Sequence, residues 1–338
     1  MGQDRYARQI IFPPIGEGGQ ERLLSSSVLI VGCGAIGSHL ANLLARGGVG
    51  RLTLVDRDDL ELSNLQRQIL FDQQDLEERL PKAVAAARKL REINPEIEIR
   101  EVVADVNPDS VEELLEGVDL LLDGTDNFYS RYLLNDAAVK HGVPWIYGGA
   151  VSSYGMTMTV IPRETACLRC LFPNAPPPGE APTCDTVGIL PGVPAAVAAI
   201  QATEAVKRLV GGGSPNPGLI HLDLWEHEFR VIQAPRQEDC PVCVHGRYEY
   251  LDSTGAPRTA ILCGRDAVQI RVPGQTVLSL EHLEERLRSA GQVARNAHLL
   301  RLSVDGFELT VFPDARAIIR GTDDPEVAVT IYDRYVGA

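Results

Sequence analysis

The stretch VLIVGCGAIGSHLANLLARGGVGRLTLVD, Val28 to Asp56, decides how the chain is read. It begins with an apolar run that reads as a buried strand and then turns through Gly32, Gly34 and Gly37. Helical periodicity follows from Ala35 to Arg46, and a second strand, RLTLVD, ends in an acid. Glycines in such a turn let the backbone approach phosphate at a helix N-terminus, where free N–H groups and the helix dipole favour negative charge. Asp56 stands where a carboxylate binds ribose hydroxyls. The fingerprint predicts a nucleotide site. By itself it does not separate an NAD-dependent oxidoreductase from an enzyme that uses the same cradle for other chemistry.

Working outward, the alternation continues. A helix is expected over Pro81–Glu92, a strand at IEIREVV, a helix at SVEELLEG, a strand at VDLLLDGTD, a helix over Asn127–Lys140 and a strand at VPWIYGGA. Strands alternating with helices predict an α/β fold, a doubly wound, Rossmann-like and mostly parallel sheet. YGMTMTVIP alternates and is expected to extend that sheet antiparallel. Phe172–Ile189 is rich in Pro and Gly and reads as a surface loop. A long helix, PAAVAAIQATEAVKRLVGGG, and a hairpin, GLIHLDLWEHEFRVIQ, complete a first domain expected over 1–247. Residues 248–338 read as a small C-terminal α+β appendage.

Composition narrows the function. Of 338 residues, 46 are Asp or Glu and 32 are Lys or Arg, giving a net charge of −14. Nonspecific nucleic-acid binding needs a surplus of cations, so it is not expected. No apolar run approaches the roughly 20 residues of a membrane span. The N-terminus, MGQDRYARQIIF, is charged and lacks a signal-peptide core, so a cytoplasmic protein is expected. Cysteine usage points to metal: Cys167-x-x-Cys170 and Cys240-x-x-Cys243 each wrap two sulfurs around one point. Four thiolates at about 2.3 Å suit tetrahedral Zn²⁺, and with every position filled such a site is structural. Two unrelated surface turns, or a redox pair, are the plainer readings of the same spacing.

The residues after the second strand favour a triphosphate. DLELSNLQRQILF supplies Ser63, Asn64, Leu65, Gln66, Arg67 and Gln68, and Lys82 follows at the start of a helix. Cations at Arg67 and Lys82 exceed what a pyrophosphate held by backbone amides requires. DGTDNFYSR places Asp126, Asn127 and Arg131 past the fourth strand, at the carboxyl end where ligands of open α/β sheets bind. An acid there suits Mg²⁺. Each of these charges alone reads as solvated surface; together they read as an ATP–Mg²⁺ site.

In order along the chain, RYARQI, the glycine stretch with its continuation DRDDLELSNLQRQ, PKA, DGTDNFYSR, CLRC, CDTVGIL, QATEAVK and CPVC resemble the MoeB/ThiF adenylyltransferases, bacterial relatives of the ubiquitin-activating enzymes. The resemblance covers about residues 3–247. It implies that ATP adenylates the C-terminal glycine of a ubiquitin-like sulfur carrier protein of MoaD or ThiS type, before sulfur arrives from a persulfide donor. It also implies a homodimer in which Arg8 reaches the partner's ATP. Ala35 falls at the family's nucleotide contact in the glycine turn, Asp56 at the ribose, Asn64, Arg67 and Lys82 at the phosphates, and Asp126 with Asn127 at Mg²⁺ and ATP. Cys167, Cys170, Cys240 and Cys243 become the zinc ligands.

Cys184 aligns with a family cysteine that in some members bonds to the carrier; a free loop thiol is the other reading. Carboxylate attack on phosphorus needs no general base, in keeping with seven scattered His and no acid/base dyad. A catalytically silent scaffold for a ubiquitin-like partner is the non-enzymatic rival. Cys33 reads as a small apolar filler and Cys263 as a buried residue. Residues 248–338 lack the Cys-x₅-Arg loop of a rhodanese and read equally as a docking unit or a stabilising one.

Overall fold

An eight-stranded sheet in the order β3-β2-β1-β4-β5-β6-β7-β8 organises the first part of the chain. Its strands are β1 (Ser27–Val31), β2 (Arg51–Asp56), β3 (Glu98–Val103), β4 (Leu120–Asp123), β5 (Trp145–Val151), β6 (Tyr154–Val160), β7 (Gly218–Asp223) and β8 (Glu228–Gln233). The computed structural model describes residues 2–176, 181–214, 216, 218–253, 259–262, 266–272 and 278–337. Strands β1 to β5 run parallel, and β6, β7 and β8 add on antiparallel. The mostly parallel sheet with its antiparallel extension is the one the sequence pattern calls for.

The apolar run of β1 is continuous because both faces of the sheet are covered. Val28 and Ile30 point into one core and Leu29 and Val31 into the other. Helices α1 (Gly2–Ile10) and α2 (Gly16–Ser25) precede the sheet. The first core packs against α2, α3 (Ala35–Gly47), α5 (Lys82–Ile93) and α10 (Gly192–Leu209). The second packs against α6 (Val111–Leu114), α7 (Phe128–His141) and α8 (Leu168–Leu171). The short helices α4 (Gln73–Glu77), α8 and α9 (Cys184–Val187) were not foreseen, the last inside the segment read as a loop. Thr183 nucleates α9 with a capping box to Thr186.

The chain divides into two units, Met1–Ser253 and Thr254–Ala338. The division falls later than 247 because an aromatic patch holds the intervening residues. The Tyr250 ring lies 4.9 Å from that of Tyr132, Tyr250 N donates to Asp136 Oδ2 at 2.9 Å, and Leu251 is buried. The second unit is an antiparallel sheet in the order β11-β12-β13-β14-β10-β9. Its strands are β9 (Thr259–Leu262), β10 (Ala267–Ile270), β11 (Gln292–Arg295), β12 (Leu300–Val304), β13 (Phe307–Val311) and β14 (Ala317–Arg320). Leu302, Leu309, Ile319 and Val268 line one face and share a core with α11 (Leu280–Leu287) and α12 (Pro325–Tyr335). Cys263 lies outside the described residues.

At the glycine turn the backbone leaves no room for side chains at some positions and ample room at others. A Cβ on Gly37 would sit 1.8 Å from Gly32 O, whereas one on Gly34 would meet nothing nearer than Gln68 Nε2 at 4.0 Å. Gly37→Ala is therefore expected to cost at least about 2 kcal/mol of stability, and Gly34→Ala less than about 0.5 kcal/mol. Urea unfolding of the two variants checks this; equal costs would refute the packing argument.

Candidate functional site

The turn between β1 and α3 is the floor of the site. Gly32 sits at φ +89°, a left-handed conformation that favours glycine. Its N–H donates to Val55 O at 2.7 Å, and Gly124 N donates to Val31 O at 2.8 Å, so the ends of β1, β2 and β4 are tied together. The sheet order reverses between β1 and β4, the switch point at which open α/β sheets bind ligands. Gly34 caps α3 without a side-chain hydrogen bond. Its first-turn N–H groups, beginning with Ala35, thus face the crevice free of any capping side chain.

Asp56 ends β2 beneath this turn. Its Oδ2 accepts from Cys33 N at 2.6 Å and its Oδ1 from Asp58 N at 2.7 Å. Burial pushes its carboxyl above the usual range, nearby Lys82 pulls it down and Asp58 pushes it up. Lys82 is 3% exposed, and its Nζ lies 3.1 Å from Asp58 Oδ2. Backbone contacts fix that pair: Lys82 N donates to Asp58 O at 3.0 Å, and Asp59 bridges Pro81. Arg57 reaches Asp105 at 3.3 Å and Asp58 at 3.7 Å. Burial opposes the Arg57 charge, but Asp105, Asp58, Asp126 and Asp56 hold its pKa above the ordinary value.

The segment after β2 is compact. Residues Leu62–Asn64 form a 3-10 turn, and buried Asn64 spends Oδ1 on Glu61 N. Arg67 folds back onto Ser63 O at 2.8 Å, and Ser63 and Gln66 are exposed. Leu65 packs against the first core. Gln68, 4% exposed, has its Oε1 buried without a hydrogen-bond partner beside the glycine turn.

At the end of β4, Asp123 is fully buried. Its Oδ1 accepts from Thr125 N at 2.8 Å and Thr125 Oγ1 at 2.7 Å. Burial pushes the Asp123 carboxyl up, and Arg131 pulls it down. Asp126, by contrast, is exposed at the mouth of the crevice. Asn127 caps α7, its Oδ1 accepting from Ser130 N at 2.9 Å. Arg131 departs from the sequence reading. Its guanidinium is turned inward, 3.6 Å from Asp123 Oδ2, between the rings of Phe128 and Tyr147, and it donates to Thr125 O. Cys184 Sγ lies 3.5 Å from Ala150 O, at the carboxyl end of β5 on the same side of the sheet.

The other sequence-predicted residues lie at the amino ends of the parallel strands. β6 runs antiparallel to β5, so Val160 pairs with Trp145 and the chain reaches Cys167 at that opposite end. Sulfur atoms there are 3.9 Å apart for Cys167–Cys170 and 3.5 Å for Cys167–Cys240 and Cys170–Cys243. All four lie within 4.8 Å of one another. A tetrahedral Zn²⁺ with bonds of about 2.3 Å requires sulfurs about 3.8 Å apart, so the donor set fits the ion. Arg8, exposed on α1, is also remote from its own glycine turn. Tyr6 packs on Gly48, at the far end of α3, a helix of 13 residues and so about 20 Å long.

Comparison with known proteins agrees with this geometry. The model of the ThiF family matches residues 6–242. The chain belongs to the ThiF family. One relative, named sulfur carrier protein ThiS adenylyltransferase, from Bacillus subtilis, is 41% identical over 98% of this chain and 99% of its own. A sulfur carrier protein adenylyltransferase from Thermus thermophilus is 40% identical over 71% of this chain and 90% of its own. Among solved structures, Escherichia coli MccB with ATP superposes with a TM-score of 0.63 at 25% identity, covering 71% of this chain and 74% of that one. Among the described residues, no helix is long and apolar enough to cross a membrane.

Within this ThiF-family site, Arg57, Asp58, Asp105 and Gln201 escaped sequence reasoning. Asp58 had a signal, standing two residues beyond Asp56 at a strand end. Gln201 had one too, as a polar residue within the apolar run of a helix.

The buried Lys82–Asp58 pair predicts a measurable coupling. Lys82→Met should lower unfolding stability by about 2–3 kcal/mol, because Asp58 then stays buried with less compensation. Adding Asp58→Asn should restore more than half of the loss. Additive losses in the double variant would show that the pair is not coupled.

Proposed function

We propose that the protein uses ATP to adenylate the C-terminal glycine carboxylate of a ubiquitin-like sulfur carrier of ThiS type, releasing pyrophosphate. The observation that carries this reading is the gathering of the uncapped α3 turn, Asp56, Lys82 and Asp126 at the carboxyl ends of adjacent strands. The ThiS type rests on the full-length likeness to the Bacillus subtilis relative, which extends over the second unit as well.

The chemistry follows from the residues. The first-turn amides of α3 from Ala35 onward receive phosphate, and Asp56 offers its remaining lone pairs to ribose hydroxyls. Lys82, already held at the crevice by Asp58, and Arg67 meet the phosphates. Asp126, the exposed carboxylate, would hold Mg²⁺ with Asn127 beside it; the ion would neutralise charge building on the departing pyrophosphate. The carrier carboxylate is ionised at neutral pH, so no residue has to remove a proton. Catalysis is positioning and charge stabilisation. Cys167, Cys170, Cys240 and Cys243 would hold a structural Zn²⁺ at the opposite end.

The remoteness of Arg8 from its own site supports a homodimer in which α1 serves the partner. Ile11 and Phe12, 69% and 55% exposed just beyond α1, supply apolar surface for that contact. Cys184, beside the crevice, is placed to receive the activated acyl group or to stand by while a persulfide donor attacks.

ATP–pyrophosphate exchange that depends on a ThiS-type carrier tests the reading. Asp126→Ala should reduce it by at least about 100-fold with the fold intact by circular dichroism. Near-normal exchange would remove Asp126 from the reaction, and no exchange in the wild type would sink the proposal. Mixing Arg8→Ala with Lys82→Ala protein should return part of the lost activity, since one site in a mixed dimer receives both wild-type residues. Confirmed subunit exchange without recovery would refute the shared site. Cys184→Ser should retain exchange, and intact mass of the carrier then reports whether thiocarboxylate still forms.

A further inference from the structure

Gln201 begins the motif QATEAVK on α10 and is 0% exposed. Its Nε2 donates to Asp123 O and to Ile146 O, each at 3.1 Å. Its Oε1 is buried with no hydrogen-bond partner. An orphaned acceptor is a cost that an apolar side chain of similar size would avoid. The two donated bonds therefore have work to do that packing alone would not.

Their place in the sheet shows what that work is. Backbone pairing of β4 with β5 consists of Leu121 with Trp145 and Leu122 with Ile146. Continued in register from Leu121 N on Pro144 O, the ladder would bring Gly148 N onto Asp123 O. Instead Gly148 N faces Asp123 Oδ2 at 3.4 Å, and Gln201 takes the carbonyl. The strands part here, and one side-chain amide spans the gap. Gly148 admits it: a Cβ there would lie 2.6 Å from both Gln201 Nε2 and Oε1. Beyond the gap, β4 leads to Thr125 and Asp126, while β5 leads to Ala150, whose carbonyl meets Cys184 Sγ.

We infer that Gln201 is a positioning residue for adenylyl transfer, its amide setting the splay of β4 from β5 and hence the spacing of the Asp126 and Cys184 sides of the crevice. The inference rests on the proposed function and deepens it. It assigns the two halves of the site to different supports: the glycine turn and Asp56 depend on β1 and β2, and the reacting half depends on Gln201.

Two variants test it from opposite sides. Gln201→Leu removes the amide, and Gly148→Ala drives it away while leaving it in the chain. Exchange kcat, AMP affinity by calorimetry and the melting temperature are measured on full-length protein with the carrier present for exchange. Both variants should lose about 10-fold or more in kcat, because small misplacements near reacting groups are costly, while AMP affinity stays within about 2-fold of wild type. Unchanged kcat would overturn the inference. So would parallel losses of kcat and AMP affinity, or failure of both variants to fold, since either result reduces Gln201 to general support. Absence of exchange in the wild type would condemn the proposed function itself and is read separately from the variants.

Discussion

No Cβ fits where β1 meets β4. Gly32 O occupies the space a side chain on Gly37 or Gly124 would need, and a Cβ on Gly32 would lie 2.6 Å from the Gly124 carbonyl. Backbone touches backbone at the one place where the sheet order reverses. That approach draws the uncapped turn of α3 down onto the strand ends. It also puts Cys33 N within reach of Asp56, and it leaves Asp123 and Asp126 on the adjoining rim. Widening it by one methyl group would push the first turn of α3 away from the ends of β1 and β4.

The charges around this turn are balanced unevenly. Asp56, Asp58, Asp105 and Asp126 all act on Arg57, and Lys82 stands against Asp58. Burial disfavours the charged form of Asp56 and raises its carboxyl; Lys82 pulls it down, and Asp58 pushes it up again. In the proposed reaction a triphosphate adds further negative charge. A divalent cation entering with it would offset that repulsion, and Asp126 is the exposed carboxylate proposed to meet it. Arg131 is turned another way in this structure. Its charge goes inward to Asp123, where it makes a buried carboxylate tolerable.

The fold was legible because its periods are strong. Alternating strands and helices, the glycine stop after α3 and the switch to antiparallel pairing at β6 are all local patterns. The cysteine cluster was legible from spacing, although 69 residues separate its halves (171–239). What sequence could not convey was direction. Arg131 sits in the first turn of a helix, and whether such a residue faces ligand or core depends on Phe128, Tyr147 and Asp123 closing around it. Asn64 looked like a phosphate ligand and is buried with its Oδ1 on Glu61 N. The unit boundary was read at 247 because the second CxxC ends the resemblance. The chain runs on to Ser253 through Tyr250, a residue whose partners Tyr129 and Tyr132 lie more than a hundred positions earlier.

The position of the cysteine cluster follows from a weakness in the sheet. Every residue of β8 is exposed, with Phe229 at 61%, Val231 at 48% and Ile232 at 47%. An edge strand with so little buried apolar surface has little to hold it but its ladder to β7, and strands of that kind open first. The chain leaving β8 runs to Cys240 and Cys243, and the chain leaving β6 runs to Cys167 and Cys170. Zn²⁺ held by the four sulfurs would close both exits on one another, substituting a metal clamp for the missing core. The clamp stands at the amino ends of the parallel strands, so it braces the sheet without intruding on the carboxyl ends, where the crevice must stay open for a nucleotide and a carrier tail.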